Sequence, residues 1–283
     1  MATTISTINL KGGVAKTTTT VAVAEFLSGC FGKKVLLIDL DPQTNATTML
    51  IGENQWEKLN DNGYTLAQLF KDALEERVED RKFDLGKTLQ KHVSNVSDVQ
   101  NLDLLPSSLD LIDVQDRLGS MGSGRFFAGT PIDILRRAIR PVIDEYDYVL
   151  IDCPPNLGII TLNGLRISSG YVIPVVPDVL STYGVPQIVS RVGAFAEATG
   201  ETIEPLGIVV CRFRTQSTVH RNTLQRLRDG VDAPVFDTVI PENNQIAASA
   251  EYVALSTLRQ KYGYQGQFEL YYSLTEEIMK AAT

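Results

Sequence analysis

The sequence predicts an α/β fold, a doubly wound and mostly parallel sheet with helices on both faces. Three observations carry that expectation. Continuous apolar runs such as VLLIDL (35–40), YVLID (148–152) and GYVIPVVP (170–177) lack the alternation of a half-exposed strand and read as parallel strands buried on both faces. Helically spaced stretches separate these runs, so that strand, helix, strand recurs along the chain. The first strand meets its helix through a glycine-containing loop, and open α/β sheets gather their ligands at the carboxyl ends of strands.

Taken in order, Thr4 to Leu10 is the first expected strand. It runs into Lys11, Gly12, Gly13, Val14, Ala15, Lys16, Thr17 and Thr18. Glycines let such a loop fold tightly enough for its amides to converge on an anion, and the following helix opens with free N–H groups and the positive end of its dipole. That arrangement suits a triphosphate. Lys16 would meet the β and γ phosphates as a point charge, and Thr17 would offer its hydroxyl to Mg²⁺. The general phosphate-loop pattern wants glycine where Leu10 and Ala15 stand, so it does not decide the matter alone, and Lys11 in isolation reads equally well as a lysine in a surface turn. The methyl of Ala15 is expected to keep ordinary backbone angles.

Thr18 to Leu27 reads as a helix stopping near Gly29 and Gly32, and Lys34 to Leu40 as the second strand of a βαβ unit. That strand ends in Asp39, Leu40, Asp41, Pro42 and Gln43. Asp41 would face the phosphate loop and orient a hydrolytic water, or simply terminate the strand in an Asp-Pro turn. Asp39 reads as structural. From about 52 to 130 the chain is a variable, largely helical region. Its run from Glu75 to Lys82 reads as a solvated helix face, Val99 to Pro106 as a strand, Ser107 to Leu118 as a helix and Gly119 to Gly129 as a flexible connection.

Ile132 to Asp144 has helical spacing, and Tyr148 to Asp152 forms the next strand. A carboxylate closing such an apolar run, here Asp152, either holds Mg²⁺ through its water shell or caps the strand end. Gly170 to Pro177 and Glu204 to Cys211 are two more strands, with a helix from Val185 to Ala198 between them. Beyond them come Arg212 and Arg214, and then Arg221 and Arg228 with Leu224 and Leu227 at the spacing of an amphipathic helix with a basic face. A short strand from Thr238 to Ile240 precedes Pro241, Glu242 and Asn243. Gln267 to Ala281 reads as a packing helix whose Glu269, Glu276 and Glu277 would be repelled by anionic lipid, so no membrane anchor is expected. His92 and His220 show no catalytic partner and read as surface residues.

Lys11 ahead of two glycines, with Lys16 and Thr17-Thr18 following, resembles the deviant Walker A box of the ParA/MinD family of P-loop ATPases. DLDPQ followed by NAT, and DCPPNLGIITLNGL from Asp152, resemble that family's A′ and switch II segments. The resemblance is closest to ParA/Soj-type partition ATPases and extends over essentially the whole chain. It implies that ATP and Mg²⁺ are the cofactors, that Lys11 reaches across a nucleotide-sandwich homodimer to the partner's nucleotide, and that Asp41 supports hydrolysis. It also makes Pro241, Glu242 and Asn243 candidates for cradling adenine, and Arg214, Arg221 and Arg228 candidates for nonspecific DNA, although an ordinary solvated helix face explains the arginines as well.

Composition bounds these readings. At 283 residues the chain is long enough for one α/β domain with a large core. A net charge of −8 argues against a broadly DNA-coating surface but not against a local basic patch. Cys30, Cys153 and Cys211 are far apart, form no CxxC pair, and read as core thiols. With no apolar leader and no run of eighteen apolar residues, a cytoplasmic, nucleoid-associated protein is expected. The function expected is partition of plasmid or chromosomal DNA by an ATPase whose hydrolysis is slow until a ParB-like or adaptor partner stimulates it. Positioning of a protein cargo, such as a microcompartment or chemoreceptor cluster, is the alternative. A metabolic P-loop enzyme of the dethiobiotin-synthetase or iron-protein type comes third.

Overall fold

Seven strands pair in the order β3-β2-β4-β1-β5-β6-β7, and every pairing between them is parallel. They are β1 (Thr3–Thr7), β2 (Val35–Asp39), β3 (Leu102–Leu105), β4 (Tyr148–Asp152), β5 (Gly170–Val175), β6 (Glu204–Phe213) and β7 (Val235–Pro241). The structure is a computed structural model and describes residues 2–75, 77–120, 130–230 and 232–283.

Burial on both faces explains the continuous apolar runs. In β2, Leu36 and Ile38 join one core while Val35 and Leu37 join the other; in β4, Val149 and Ile151 oppose Tyr148 and Leu150 in the same way. Side chains alternate across a strand, so a sheet covered on both sides needs apolar residues at every position. Each such side chain contributes about 1.5–3 kcal/mol by leaving water.

The helices are α1 (Lys16–Gly29), α2 (Asn45–Ile51), α3 (Glu53–Asp61), α4 (Leu66–Asp72), α5 (Leu85–Thr88), α6 (Leu111–Ser120), α7 (Ile134–Ile139), α8 (Ile159–Leu165), α9 (Ser181–Thr199), α10 (Thr218–Arg228), α11 (Asn244–Ala248), α12 (Leu258–Tyr262) and α13 (Gln267–Ala281). α1, α12 and α13 cover one face through Phe26, Tyr262 and Tyr271. α4, α6, α7, α8 and α9 cover the other.

Several expectations need correction. The helix expected from Ile132 to Asp144 is broken: α7 ends at Ile139, flanked by short 3-10 turns at Pro131–Asp133 and Ile143–Glu145. Pro141 has no N–H to donate to the carbonyl four residues back, and its ring crowds that carbonyl, which stops the helix at this point even though Arg140 itself keeps helical angles. The described residues of the charged run from Glu75 to Lys82 form no helix face but loop around a 3-10 turn at Val78–Asp80. Cys30 is exposed rather than a core thiol, whereas Cys153 and Cys211 are buried. Gly119 and Ser120 continue α6, and residues 121–129 of the expected flexible connection lie outside the described residues. His220 is half-buried, its ring accepting from the Arg214 N–H at 3.1 Å.

α13 matches its expected span and contributes more than apolar packing. Glu277 accepts the N–H groups of Asp237 at 2.7 Å and Thr238 at 3.1 Å, so one of the acidic residues of this helix fastens it to β7. Among the described residues no helix is long and apolar enough to cross a membrane.

Candidate functional site

The register of the sheet assembles the site. Thr7, Asp39 and Asp152 stand at one level, at the carboxyl ends of β1, β2 and β4. The loop after β1 rises beside them and turns directly into α1. Asn9 fixes this loop from below: its side-chain amide donates to the Pro174 carbonyl at 2.7 Å and its oxygen accepts the Lys11 N–H at 2.9 Å. No spacing rule singled out Asn9, because its partner lies 165 residues away.

Two left-handed residues, separated by Val14, shape the loop. Gly13 has φ 73, and Ala15, which caps α1, has φ 68 and ψ 29. The expectation of ordinary angles at Ala15 is therefore wrong: the turn into α1 takes the left-handed region here, and the methyl is carried there at a cost. Ala15→Gly is expected to raise stability by about 1 kcal/mol, moving the thermal midpoint up by about 2 °C. An unchanged or lower midpoint in thermal unfolding would count against a strained Ala15.

Lys16 is buried at the start of α1, its ammonium donating to the Lys11 carbonyl at 3.2 Å. Burial holds its pKa below the usual lysine value, partly offset by Asp152 and Asp41. Thr17 donates its hydroxyl to Asp152 at 2.7 Å, and Thr20 reaches the other oxygen of the same carboxylate at 3.2 Å. Burial pushes Asp152 up to about 7, against the hydrogen bond from Thr17, with Asp41 adding to the rise. Asp39 is likewise raised, by burial and then by Asp152, while it accepts from the Thr47 N–H at 2.9 Å and hydroxyl at 2.7 Å. Asp39 thus shapes the turn into α2.

Asp41 closes the other side. It is buried, accepts the Gln43 N–H at 3.0 Å and lines, with Gly12, Gly13, Lys16, Thr17 and Pro155, a cavity of about 380 Å³. A second cavity of about 430 Å³ shares Gly13, Ala15 and Thr18 with the first and is walled by Pro241, Glu242 and Asn243. The phosphate loop is therefore a ridge between two hollows, and Val14, buried beneath it, anchors the turn.

The donor set fits a nucleotide with its cation. Asp152 and the Thr17 hydroxyl are already adjacent and both are hard oxygen donors of the kind Mg²⁺ takes; they would hold the cation, which would supply charge neutralisation for the phosphates. Lys16 and the loop amides supply cationic and N–H contacts for phosphates.

The remaining candidates divide. Lys11 is not turned into its own cavity: it pairs with Asp178 at 2.9 Å, on the segment between β5 and α9. Burial acts to raise Asp178, but hydrogen bonds from Lys11 and Ser181 outweigh it and hold the carboxyl below its ordinary value. Arg214 does not stand free on a basic face, because its guanidinium is bound to Glu242. Arg221 braces the start of α10 through the Thr215 carbonyl and Thr218, and Arg228 is exposed at that helix's end. Thr223 and Leu227 face inward. Cys153 is sealed in the core, and burial raises its thiol pKa. Among the described residues no three His, Cys, Asp or Glu side chains are arranged to ligate a metal by themselves.

Comparison with known proteins agrees with this geometry. The AAA domain family matches residues 2–204. The chain is 31% identical over 275 residues to the chromosome-partitioning ATPase Soj of Thermus thermophilus, a match covering 97% of this chain and 94% of that protein. It is 33% identical over 237 residues, 83% of its length, to an uncharacterized protein of Mycobacterium tuberculosis, of which it spans 66%. Apo McdA from Cyanothece shares the fold, with a TM-score of 0.76, 21% identity and 100% of each chain covered. A cobyrinic acid a,c-diamide synthase from Mycobacterium smegmatis, with bound ADP and magnesium, aligns with a TM-score of 0.69 and 27% identity, covering 88% of this chain and 91% of that one. ATP and Mg²⁺ are the cofactors that this site takes.

Proposed function

The chain belongs to the AAA domain family in its ParA/Soj branch, and from that premise we propose that it is an ATPase that partitions plasmid or chromosomal DNA through an ATP-dependent homodimer. The observation that carries this reading is the division of labour between two lysines. Lys16 lies over the loop that binds phosphate, whereas Lys11 points away from that cavity and is held by Asp178.

ATP would supply the phosphoryl group, and Mg²⁺ would neutralise charge that develops on it. Lys16, Thr17 and Asp152 hold the phosphates and the cation. Lys11 leaves Asp178 to reach the nucleotide of a second copy, so that closing two sites face to face depends on ATP. Asp41 orients the attacking water. Hydrolysis is slow in the isolated protein and is stimulated by a ParB-like or adaptor protein. The dimer holds nonspecific DNA in a salt-dependent way through Arg221 and Arg228, which associates it with the nucleoid. Cargo other than DNA is the alternative reading, because the partner, not the fold, selects the cargo.

Asp41→Ala tests the cycle. It is expected to leave a dimer in ATP, seen by light scattering, while turnover falls roughly 10²-fold. A monomer in ATP, or turnover at the wild-type rate, would count against the reading. The Mycobacterium smegmatis synthase favours a second reading, an ATP-dependent metabolic enzyme. For such an enzyme the same scattering experiment is expected to show no nucleotide-dependent change in mass.

A further inference from the structure

Ser107 lies between β3 and α6, outside the nucleotide cavity, and is fully buried. Its N–H, hydroxyl and carbonyl are all committed, each to a different segment. The hydroxyl donates to the Asp41 carbonyl at 2.7 Å, and the N–H donates to the hydroxyl of Thr47 in α2 at 3.0 Å. The carbonyl accepts from the indole of Trp56 in α3 at 3.2 Å. Thr47 in turn donates to Asp39 at 2.7 Å.

The bond to Asp41 matters for a geometrical reason. A peptide unit is planar, so holding its carbonyl fixes the torsion at the preceding Cα and with it the direction in which that residue's side chain leaves the backbone. Both planes beside Asp41 are held. Its N–H donates to Asp39 at 3.1 Å, and its carbonyl accepts from the Thr44 N–H at 2.9 Å as well as from Ser107. The bonds with Asp39 and Thr44 are local to the turn. Ser107 comes from 66 residues away and ties that turn to β3, at the edge of the sheet.

We propose that Ser107 is a positioning residue for hydrolysis, holding the turn after β2 so that the Asp41 carboxylate keeps its place in the nucleotide cavity. This rests on the water-orienting role given to Asp41 above and adds the residue through which that role is held.

Ser107→Ala deletes the hydroxyl and leaves the backbone groups that meet Thr47 and Trp56. At saturating ATP its turnover is expected to fall roughly tenfold, the scale of a small misplacement of a catalytic group. Its KM for ATP and its calorimetric affinity for MgADP should stay at wild-type values. Ser107→Cys, a weaker donor at the same position, should fall between the two. Trp56 is the only tryptophan in the chain, so its emission reports on the Ser107 backbone and should not shift in either variant. A shift in emission, or a matching loss of MgADP affinity, would mean that the hydroxyl only supports packing, and wild-type turnover would mean that Asp41 does not depend on it; either result overturns the proposal. On an Asp41→Ala background, Ser107→Ala should slow turnover no further, and a second tenfold loss would overturn the proposal as well. Wild-type turnover in Asp41→Ala itself would instead overturn the role given to Asp41, and this proposal with it.

Discussion

Lys16→Ala is expected to abolish useful ATP binding, with an affinity loss of roughly 10²- to 10⁴-fold. The range follows from removing one member of a largely desolvated charge pair, which costs about 3–5 kcal/mol. Lys16 is 6% exposed, and burial already holds its pKa down, so little water screens the phosphate from it. The apo protein should not lose stability to match, because the variant removes an ammonium whose burial is itself unfavourable. Calorimetric titration with ATP and magnesium, beside thermal unfolding of the apo form, separates binding from folding. Tight binding retained by Lys16→Ala would refute the phosphate-loop assignment.

Glu25→Ala should produce the largest loss of stability. Glu25 is fully buried in α1, nine residues beyond Lys16, and Lys261 is 1% exposed in α12. The ammonium of Lys261 lies 2.8 Å from one Glu25 oxygen and 2.7 Å from the Asn95 side-chain oxygen. Ser94 and the Tyr262 hydroxyl each donate to Glu25 at 2.7 Å. Both oxygens of the carboxylate accept from buried donors, so its removal would strand a buried ammonium and two hydroxyls. The expected cost is about 3–5 kcal/mol, or a fall in thermal midpoint on the order of 10 °C. Replacing the pair together, Glu25→Leu with Lys261→Met, should restore most of the loss, since an apolar pair of similar volume avoids desolvating two charges. A single variant as stable as the wild type in chemical denaturation would show that the pair is not desolvated in solution. Because α1 carries the phosphate loop, nucleotide affinity should fall with stability in Glu25→Ala and recover in the double variant.

Legibility in the sequence followed the range of the interactions. Asp152 at the end of YVLID, and Lys16 and Thr17 at a strand-helix junction, are encoded within a few residues each. The sheet needs only local hydrophobic runs to be recognised. Ala15 was misread because the rule applied to it was intrinsic: alanine avoids positive φ, yet the loop around it over-determines the angle. α7 was read too long because helical periodicity outweighed the proline at 141. Arg214 was grouped with other arginines by charge alone, and Glu242 lies 28 residues further on, beyond the reach of any spacing rule.

The sequence by itself determined the parallel α/β architecture and the position of the glycine-containing loop between β1 and α1, because burial on both faces and tight turns leave periodic or local marks in the chain. The tertiary structure decided which side chain each charged residue meets. Lys11 finds Asp178 at a separation of 167 residues, Arg212 finds Gly13 at 199, and Lys261 finds Glu25 at 236. Such partners are selected by the order in which strands pair and by the register at their carboxyl ends. Sheet order is a property of the folded chain, and no local pattern records it.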